Sequence, residues 1–342
     1  MRVTTPLLRR GSPTTGMALI LVLLMLAVLS VLATGFTLRL QQQIRYSDSR
    51  QQATQAYWYA LSAEEQASAE LQAALADDPR ANLSQSWAVG ERVYPVSGGE
   101  IRIAIRDQQA CFNLNALAGI KAQSSTQERP RIAQQLLALL SALNTAEQPI
   151  DGYQAEQVVD SLWEYVDSDS QLTSRYGAED SEYLARAIPS LTPNSLLADD
   201  SELRTVQGVD APLYRRLQPW ICALPQTRWQ LNVNTVMPEQ APLLQALLTP
   251  YLSAEQAQAL LARRPVDGWR DAASFWAEPE LAALDDTARG KLAPQLALTS
   301  CYFLLDGQVT VGRIALRVRS LLQQDPASGQ FYVQRHQFGE MQ

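Results

Sequence analysis

The sequence predicts an α+β protein: one long N-terminal transmembrane helix, then an α/β sheet domain into which a large all-α domain is inserted. Three observations carry this. Residues 17–36 form a twenty-residue run without a charged side chain. Ile101, Ile103 and Ile105 alternate with Arg102, Ala104 and Arg106, a half-buried strand pattern; apart from one short strand, strands return only near the C-terminus. Between these strand regions, from about 114 to 293, the apolar residues recur mostly at helical spacing.

Composition narrows the function before any motif is read. The chain has 342 residues, with 28 Lys plus Arg against 35 Asp plus Glu, a formal net charge of −7. An acidic chain without a long basic run is a poor ligand for nucleic acid, where affinity rests on phosphate neutralisation. The single histidine, His336, speaks against a Ser-His-Asp triad and a multi-histidine zinc site. Cys111, Cys222 and Cys301 lack CxxC spacing, which excludes a cysteine-only zinc site.

The first element follows from the N-terminus. Residues 1–16 carry Arg2, Arg9 and Arg10 and no acid. The uncharged run then begins at Met17, and twenty helical residues span roughly 30 Å, the thickness of a bilayer core. A secretory signal peptide has a shorter apolar region followed by a small-residue cleavage site. Here the small residue, Gly16, precedes the apolar run. The all-positive leader predicts that it stays inside and the bulk of the chain lies outside. Helical spacing continues through Tyr57, Ala60, Leu61, Ala67, Leu71 and Leu75 until the Asp77-Asp78-Pro79 stop, because proline cannot continue a helix interior. One helix over 17–76 would be about 90 Å long.

The remaining elements are read in order. Helices are expected at 131–143, 155–166, 182–188, 211–221, 241–248 and 254–264, with one short strand at 228–233. Residues 203–221 look like a helix-hairpin-helix (SAM-like) element with Gly208 in the hairpin. Strands are expected at 301–311, with a hairpin-type turn at Asp306-Gly307, then at 313–320, and at 330–337 after an Asp325-Pro326 turn. Residues 112–117 and 231–236 share an apolar-Asn-apolar-Asn pattern, in which asparagine closes a strand and opens a helix. The expected division is 1–16 leader, 17–38 transmembrane helix, 39–113 with 294–342 as a discontinuous sheet domain, 114–227 as inserted helical domain, and 228–293 as a second helical segment.

Leader, glycine and apolar helix in this order resemble a type IV prepilin signal. The resemblance implies cleavage by prepilin peptidase after Gly16 and N-methylation of Met17. Pilins of this kind usually carry glutamate at the fifth mature position, where it is thought to pair with a neighbouring subunit's N-terminus. Here that position is Leu21, which suits a subunit with nothing ahead of it. Together with the segments at 112–117, 177–180 and 231–235, this order resembles the K-type minor pseudopilins of the type II secretion system (general secretion pathway protein K family). The resemblance implies a pilin-like sheet domain, anchorage in the bacterial inner membrane with the bulk in the periplasm, and no enzymatic activity. It further implies a place at the pseudopilus tip with the I and J minor pseudopilins and contact with further pseudopilins. A membrane-anchored periplasmic DNA-binding protein is the alternative suggested by the hairpin element; the acidity of the chain argues for no nucleic acid.

An acidic loop follows the helix expected at 155–166, with Asp167, Asp169, Glu179 and Asp180 interrupted by Arg175. It is not an EF-hand, since Leu172 stands where the sharp-turn glycine belongs and Ala178 where the bidentate glutamate belongs. On spacing alone, a cation loop and a solvated acidic turn both remain open. The resemblance implies calcium, held structurally by Asp167, Asp169, Glu179 and Asp180, with Gln171 a weaker candidate through its carbonyl. Glu164 and Asp160 share a helical face with Asp167 and would stand behind the ligands. In an oxidising periplasm two of three cysteines can pair. Cys222 and Cys301 both precede strand or domain junctions and are the expected pair.

Overall fold

The computed structural model describes residues 15–120 and 129–340; most of the leader, residues 1–14, lies outside them. Helix α1 (Thr15–Asp77) runs for 63 residues, about 95 Å at 1.5 Å per residue. From Met17 to Gln51 every residue of it is exposed. Among the described residues it is the one helix long and apolar enough to cross a membrane. Its second half turns Ala56, Ala60, Ala63, Ala67, Leu71 and Leu75 inward. Steps of three and four residues put all six on one stripe. Four alanines in that stripe bring the helix close to the sheet beneath it.

That sheet has five strands, β1 (Arg92–Val96), β2 (Gly99–Asp107), β7 (Tyr302–Val311), β8 (Ile314–Gln324) and β9 (Phe331–Glu340), in this spatial order. Every pairing is antiparallel. Ile101, Ile103 and Ile105 of β2 meet Phe303, Leu305 and Val309 of β7 and the α1 stripe in one core. Period-two alternation requires this, since alternate side chains share a face. Trp87 closes the core edge-on to Phe303, 5.1 Å between ring centroids.

Strands β2 and β7 are neighbours in space, although nearly two hundred residues separate them in sequence. Asp107 pairs with Phe303, and Gln108 N–H donates to Tyr302 O at 2.9 Å. The chain therefore leaves the sheet and re-enters it at one point. Between lie β3 (Phe112–Asn113), α2 (Arg131–Ala142), α3 (Gly152–Val166), α4 (Asp180–Leu184), α5 (Ala211–Leu217), β4 (Ile221–Cys222), β5 (Leu231–Asn232), α6 (Ala241–Leu247), α7 (Ala254–Arg263), α8 (Ala272–Trp276), α9 (Asp286–Leu292) and β6 (Leu296–Ala297). A separate core holds them together, with Leu136, Leu139 and Leu140 packing with Val158, Leu162, Leu243, Leu244, Leu247 and Leu260. The hairpin element is abbreviated: a 3₁₀ turn (Asp200–Thr205) leads through Gly208, at φ +86°, into α5. Gly208 abuts Gln157 and Val158 of α3, and its carbonyl accepts from Gln154 Nε2 at 3.1 Å, so the hairpin packs inward on protein.

The asparagine repeats do more than cap. Asn113 Oδ1 accepts from Asn115 N–H, as a cap should, and also from Leu224 N–H. Asn113 Nδ2 donates to the carbonyls of Gln226 and Arg228, and Asn115 Nδ2 to those of Leu197 and Leu224. Asn234 brackets Trp269, accepting from its N–H and donating to its carbonyl. All four asparagines are buried and tie together backbone segments far apart in sequence. At the sheet junction Asp107 is buried and accepts from Gln109 N–H (2.7 Å), Asn232 Nδ2 (3.0 Å), Thr235 Oγ1 (2.5 Å) and Ser300 Oγ (2.5 Å).

Two expectations are corrected. Asp306-Gly307 is not a turn: it lies in the middle of β7, and the hairpin turns at Gly312 (φ +57°) and Arg313. Gly307 is needed there because a Cβ would come within 2.7 Å of Val318 Cγ1 on β8. Asp306 is instead held by Arg317 across the ladder, at 3.1 and 2.8 Å. The second correction is the disulfide, which joins Cys111 to Cys222 and leaves Cys301 free. Parallel pairing of β3 with β4 brings Cys222 beside residue 113, with 5.9 Å between the two cysteine Cα atoms. Cys301 packs against the same small cluster without bonding. The bridge closes a long loop, its ends 111 positions apart in sequence. The double variant Cys111→Ser/Cys222→Ser is expected to lose about 2–5 kcal/mol in denaturant unfolding. Non-reducing peptide mapping should find the 111–222 cross-link in wild type and a single free thiol at Cys301.

Candidate metal centre

Helix α3 builds one wall of the acidic loop. Asp151 caps its start, accepting from the N–H groups of Tyr153 and Gln154. From Val158 to Val166 the helix is buried on every side, Asp160 and Glu164 included. Spacings of four and three place Asp160, Glu164 and Asp167 on one face. Asp167 ends the helix in extended conformation. The chain returns at Glu179, the residue before α4: its N–H donates to Glu182 Oε2 at 3.0 Å, and Glu182 N–H donates back to its backbone carbonyl at 3.0 Å.

Glu164, Asp167 and Glu179 converge, with one carboxylate oxygen from each within 4.8 Å of the others. Glu164 Oε1 accepts from Thr173 N–H (3.0 Å) and Ser174 N–H (2.5 Å), while its Oε2 is buried without a partner. Glu179 Oε2 accepts from Thr192 Oγ1 at 3.3 Å, and its Oε1 is likewise buried and unpartnered. Burial first, then the neighbouring Asp167 and Glu164 charges, push the Glu179 carboxyl up to about 7. Burial, opposed by the Asp169 N–H and aided by the Glu164 charge, pushes Asp167 up to about 6. Arg175 does not join the cluster; its guanidinium lies over the Tyr176 ring.

Asp169, Gln171 and Asp180 are not among the three carboxylates that converge. Asp169 Oδ1 accepts from Gln171 N–H at 2.8 Å in an exposed turn, and Gln171 O accepts from Thr173 Oγ1. Asp180 Oδ1 accepts from Thr192 Oγ1 (2.7 Å) and Thr192 N–H (2.9 Å), which holds its carboxyl below the usual range. Asp160 is occupied by Arg129. Glu164, expected behind the ligands, thus stands in the cluster itself. Its signal was present in the sequence, since it lies one helical turn before Asp167 amid apolar neighbours. Unpartnered oxygens on buried carboxylates, with neither histidine nor cysteine nearby, form a donor set for a hard divalent cation.

The chain's one histidine serves elsewhere. His336 Nδ1 is 3.5 Å from Glu64 Oε1, and Ser320 Oγ donates to that same oxygen. Serine and histidine both address the carboxylate, so this group fastens α1 to β8 and β9 and is not a nucleophile–base relay.

A long apolar N-terminal helix lying along an antiparallel sheet defines a pilin-type subunit, here with a helical insertion between β2 and β7. Family models described as type II secretion system (T2SS), protein K, match residues 110–226 and 231–299, both within that insertion. Type II secretion system protein K of Klebsiella pneumoniae is 40% identical over 309 residues, 90% of this chain and 92% of the relative. The Aeromonas hydrophila protein of that description is 39% identical over 262 residues, 75% and 77% of the two chains. A chain in the crystal structure of the GspK-GspI-GspJ complex from enterotoxigenic Escherichia coli superposes with a TM-score of 0.77 at 43% identity, covering 86% of this chain and 99% of that one. The chain belongs to the type II secretion system protein K family.

Proposed function

We propose that this chain is a non-enzymatic minor pseudopilin that caps the periplasmic pseudopilus together with minor pseudopilins I and J and starts or limits its assembly for exoprotein secretion. The likeness to a chain solved with GspI and GspJ carries this reading, because it extends over both the sheet domain and the insertion. Helix α1 would anchor the subunit in the inner membrane until it is drawn into the filament among further pseudopilins. Leu21 supports a terminal position. It is exposed on the uncharged part of α1, where an unpaired carboxylate would be costly, and it offers no charge to a subunit above.

A calcium ion at Glu164, Asp167 and Glu179 completes the reading. The residues fit it, since two buried carboxylate oxygens there lack any partner. The ion would supply positive charge that lets three close carboxylates ionise together, pinning the 167–179 loop to α3. Its role is structural.

Processing tests the assignment in cells. Mature protein from membranes should begin at Met17, and Gly16→Leu should accumulate as precursor, with secretion falling to background. Normal processing of Gly16→Leu, or cleavage inside the apolar run, would count against a prepilin.

A further inference from the structure

We propose that the Arg129–Asp160 ion pair, acting with Gly177, is the positioning device that sets the cation affinity of the loop; the inference rests on reading the Glu164 cluster as a cation site. Asp160 is 2% exposed, and a buried carboxylate is costly unless paired and hydrogen-bonded. Arg129 supplies the pairing as a two-pronged fork, Nε to Oδ1 at 2.9 Å and Nη2 to Oδ2 at 3.1 Å. The second oxygen has another duty: it accepts from Tyr176 N–H at 3.2 Å. One carboxylate on α3 thereby holds both the chain entering α2 and the far limb of the acidic loop.

The held limb presses on Glu164. A Cβ on Gly177 would lie 2.2 Å from Ser174 Oγ, 2.6 Å from Glu164 Cγ and 3.2 Å from Asp160 O. Only glycine allows the loop backbone this close to the glutamate stem. Once there, Thr173 and Ser174 present their N–H groups to Glu164 Oε1, which leaves Oε2 free beside Asp167 and Glu179. Arg129 touches none of the three converging carboxylates within ion-pair range; its charge is spent on Asp160 and, at 3.7 Å, on Glu156. It acts through Asp160 and the loop backbone. Lysine, a point charge on a flexible stem, cannot reproduce the fork.

The test is calcium titration calorimetry on the full chain in detergent micelles, with melting in EDTA measured beside it. Arg129→Gln/Asp160→Asn removes one charge of each sign, so net charge near the site is unchanged and any loss of affinity reports geometry. Calcium affinity should weaken by about 10-fold or more, the usual effect of disturbing groups that orient metal ligands. Gly177→Ala, which leaves the ion pair intact, should weaken it comparably, and Arg129→Lys should fall between. Should the double variant fail to fold, Arg129→Lys and Gly177→Ala carry the test. Affinities within about twofold of wild type, with any loss of stability equal in EDTA and calcium, would make the pair a structural ion pair and overturn the proposal. A wild-type protein that takes up no calcium would overturn the cation reading itself, and the proposal with it.

Discussion

In EDTA the protein is expected to melt at a lower temperature at pH 7.5 than at pH 5, and calcium is expected to reverse that order. The sign follows from Asp167 and Glu179, raised to about 6 and about 7 from ordinary values of 3.8 and 4.5. Between these limits the metal-free folded state binds more protons than the unfolded chain, so stability falls as pH rises. The stabilisation is complete below about pH 4 and is lost as pH passes through 6 and 7. Calcium replaces those protons, so its binding should strengthen over the same interval and its effect on melting should be largest above pH 7. At a concentration one hundred times Kd the gain is about 2.7 kcal/mol. Magnesium should substitute poorly, because it requires tighter octahedral geometry and gives up water reluctantly. Glu164→Gln/Glu179→Gln should abolish the calcium response. Identical melting curves with calcium and with EDTA at pH 7.5 would reduce the cluster to an acidic turn.

Asp107→Ala should be the most damaging single substitution away from the loop. The carboxylate sits buried where the chain leaves the sheet, and burial raises its pKa. Its four donors come from both sides of the junction: Gln109, Asn232, Thr235 and Ser300. Alanine leaves Gln109 N–H and Ser300 Oγ without their acceptor, while Asn232 Nδ2 keeps Ala81 O and Thr235 Oγ1 keeps Asn232 O, at roughly 1–3 kcal/mol for each group that cannot re-pair. Part of this is recovered where hydroxyls rotate, so the expected loss is about 3–5 kcal/mol, a large share of the 5–15 kcal/mol typical of whole proteins. Asp107→Asn keeps the shape and one acceptor oxygen and should lose less. Denaturant unfolding compares the two; equal, small losses would show that the junction is held by packing alone.

Elements governed by periodicity were legible in the sequence. The uncharged run at 17–36, the alternation at 101–106 and the helical spacing of 131–143 each reflect a local rule. Asp306-Gly307 misled because glycine serves two ends, tight turns and close strand approach, and only the position of Val318 on β8 distinguishes them. The disulfide was missed for a related reason. Nothing near Cys111 or Cys222 announces that β3 and β4 pair in parallel across more than a hundred residues. In the acidic loop, carboxylates between helices were easy to see, but which of them converge depends on rotamer and burial. Asp169 and Asp180 are diverted by Gln171 N–H and by Thr192, whereas Glu164 is turned into the cluster by the loop backbone.

The tip assignment is tested most directly by co-expressing the full chain with the I and J minor pseudopilins of its own secretion system and purifying it from detergent-solubilised membranes. The account predicts that all three proteins elute together as one complex of defined stoichiometry. A chain that elutes alone, while I and J pair with each other without it, would contradict it.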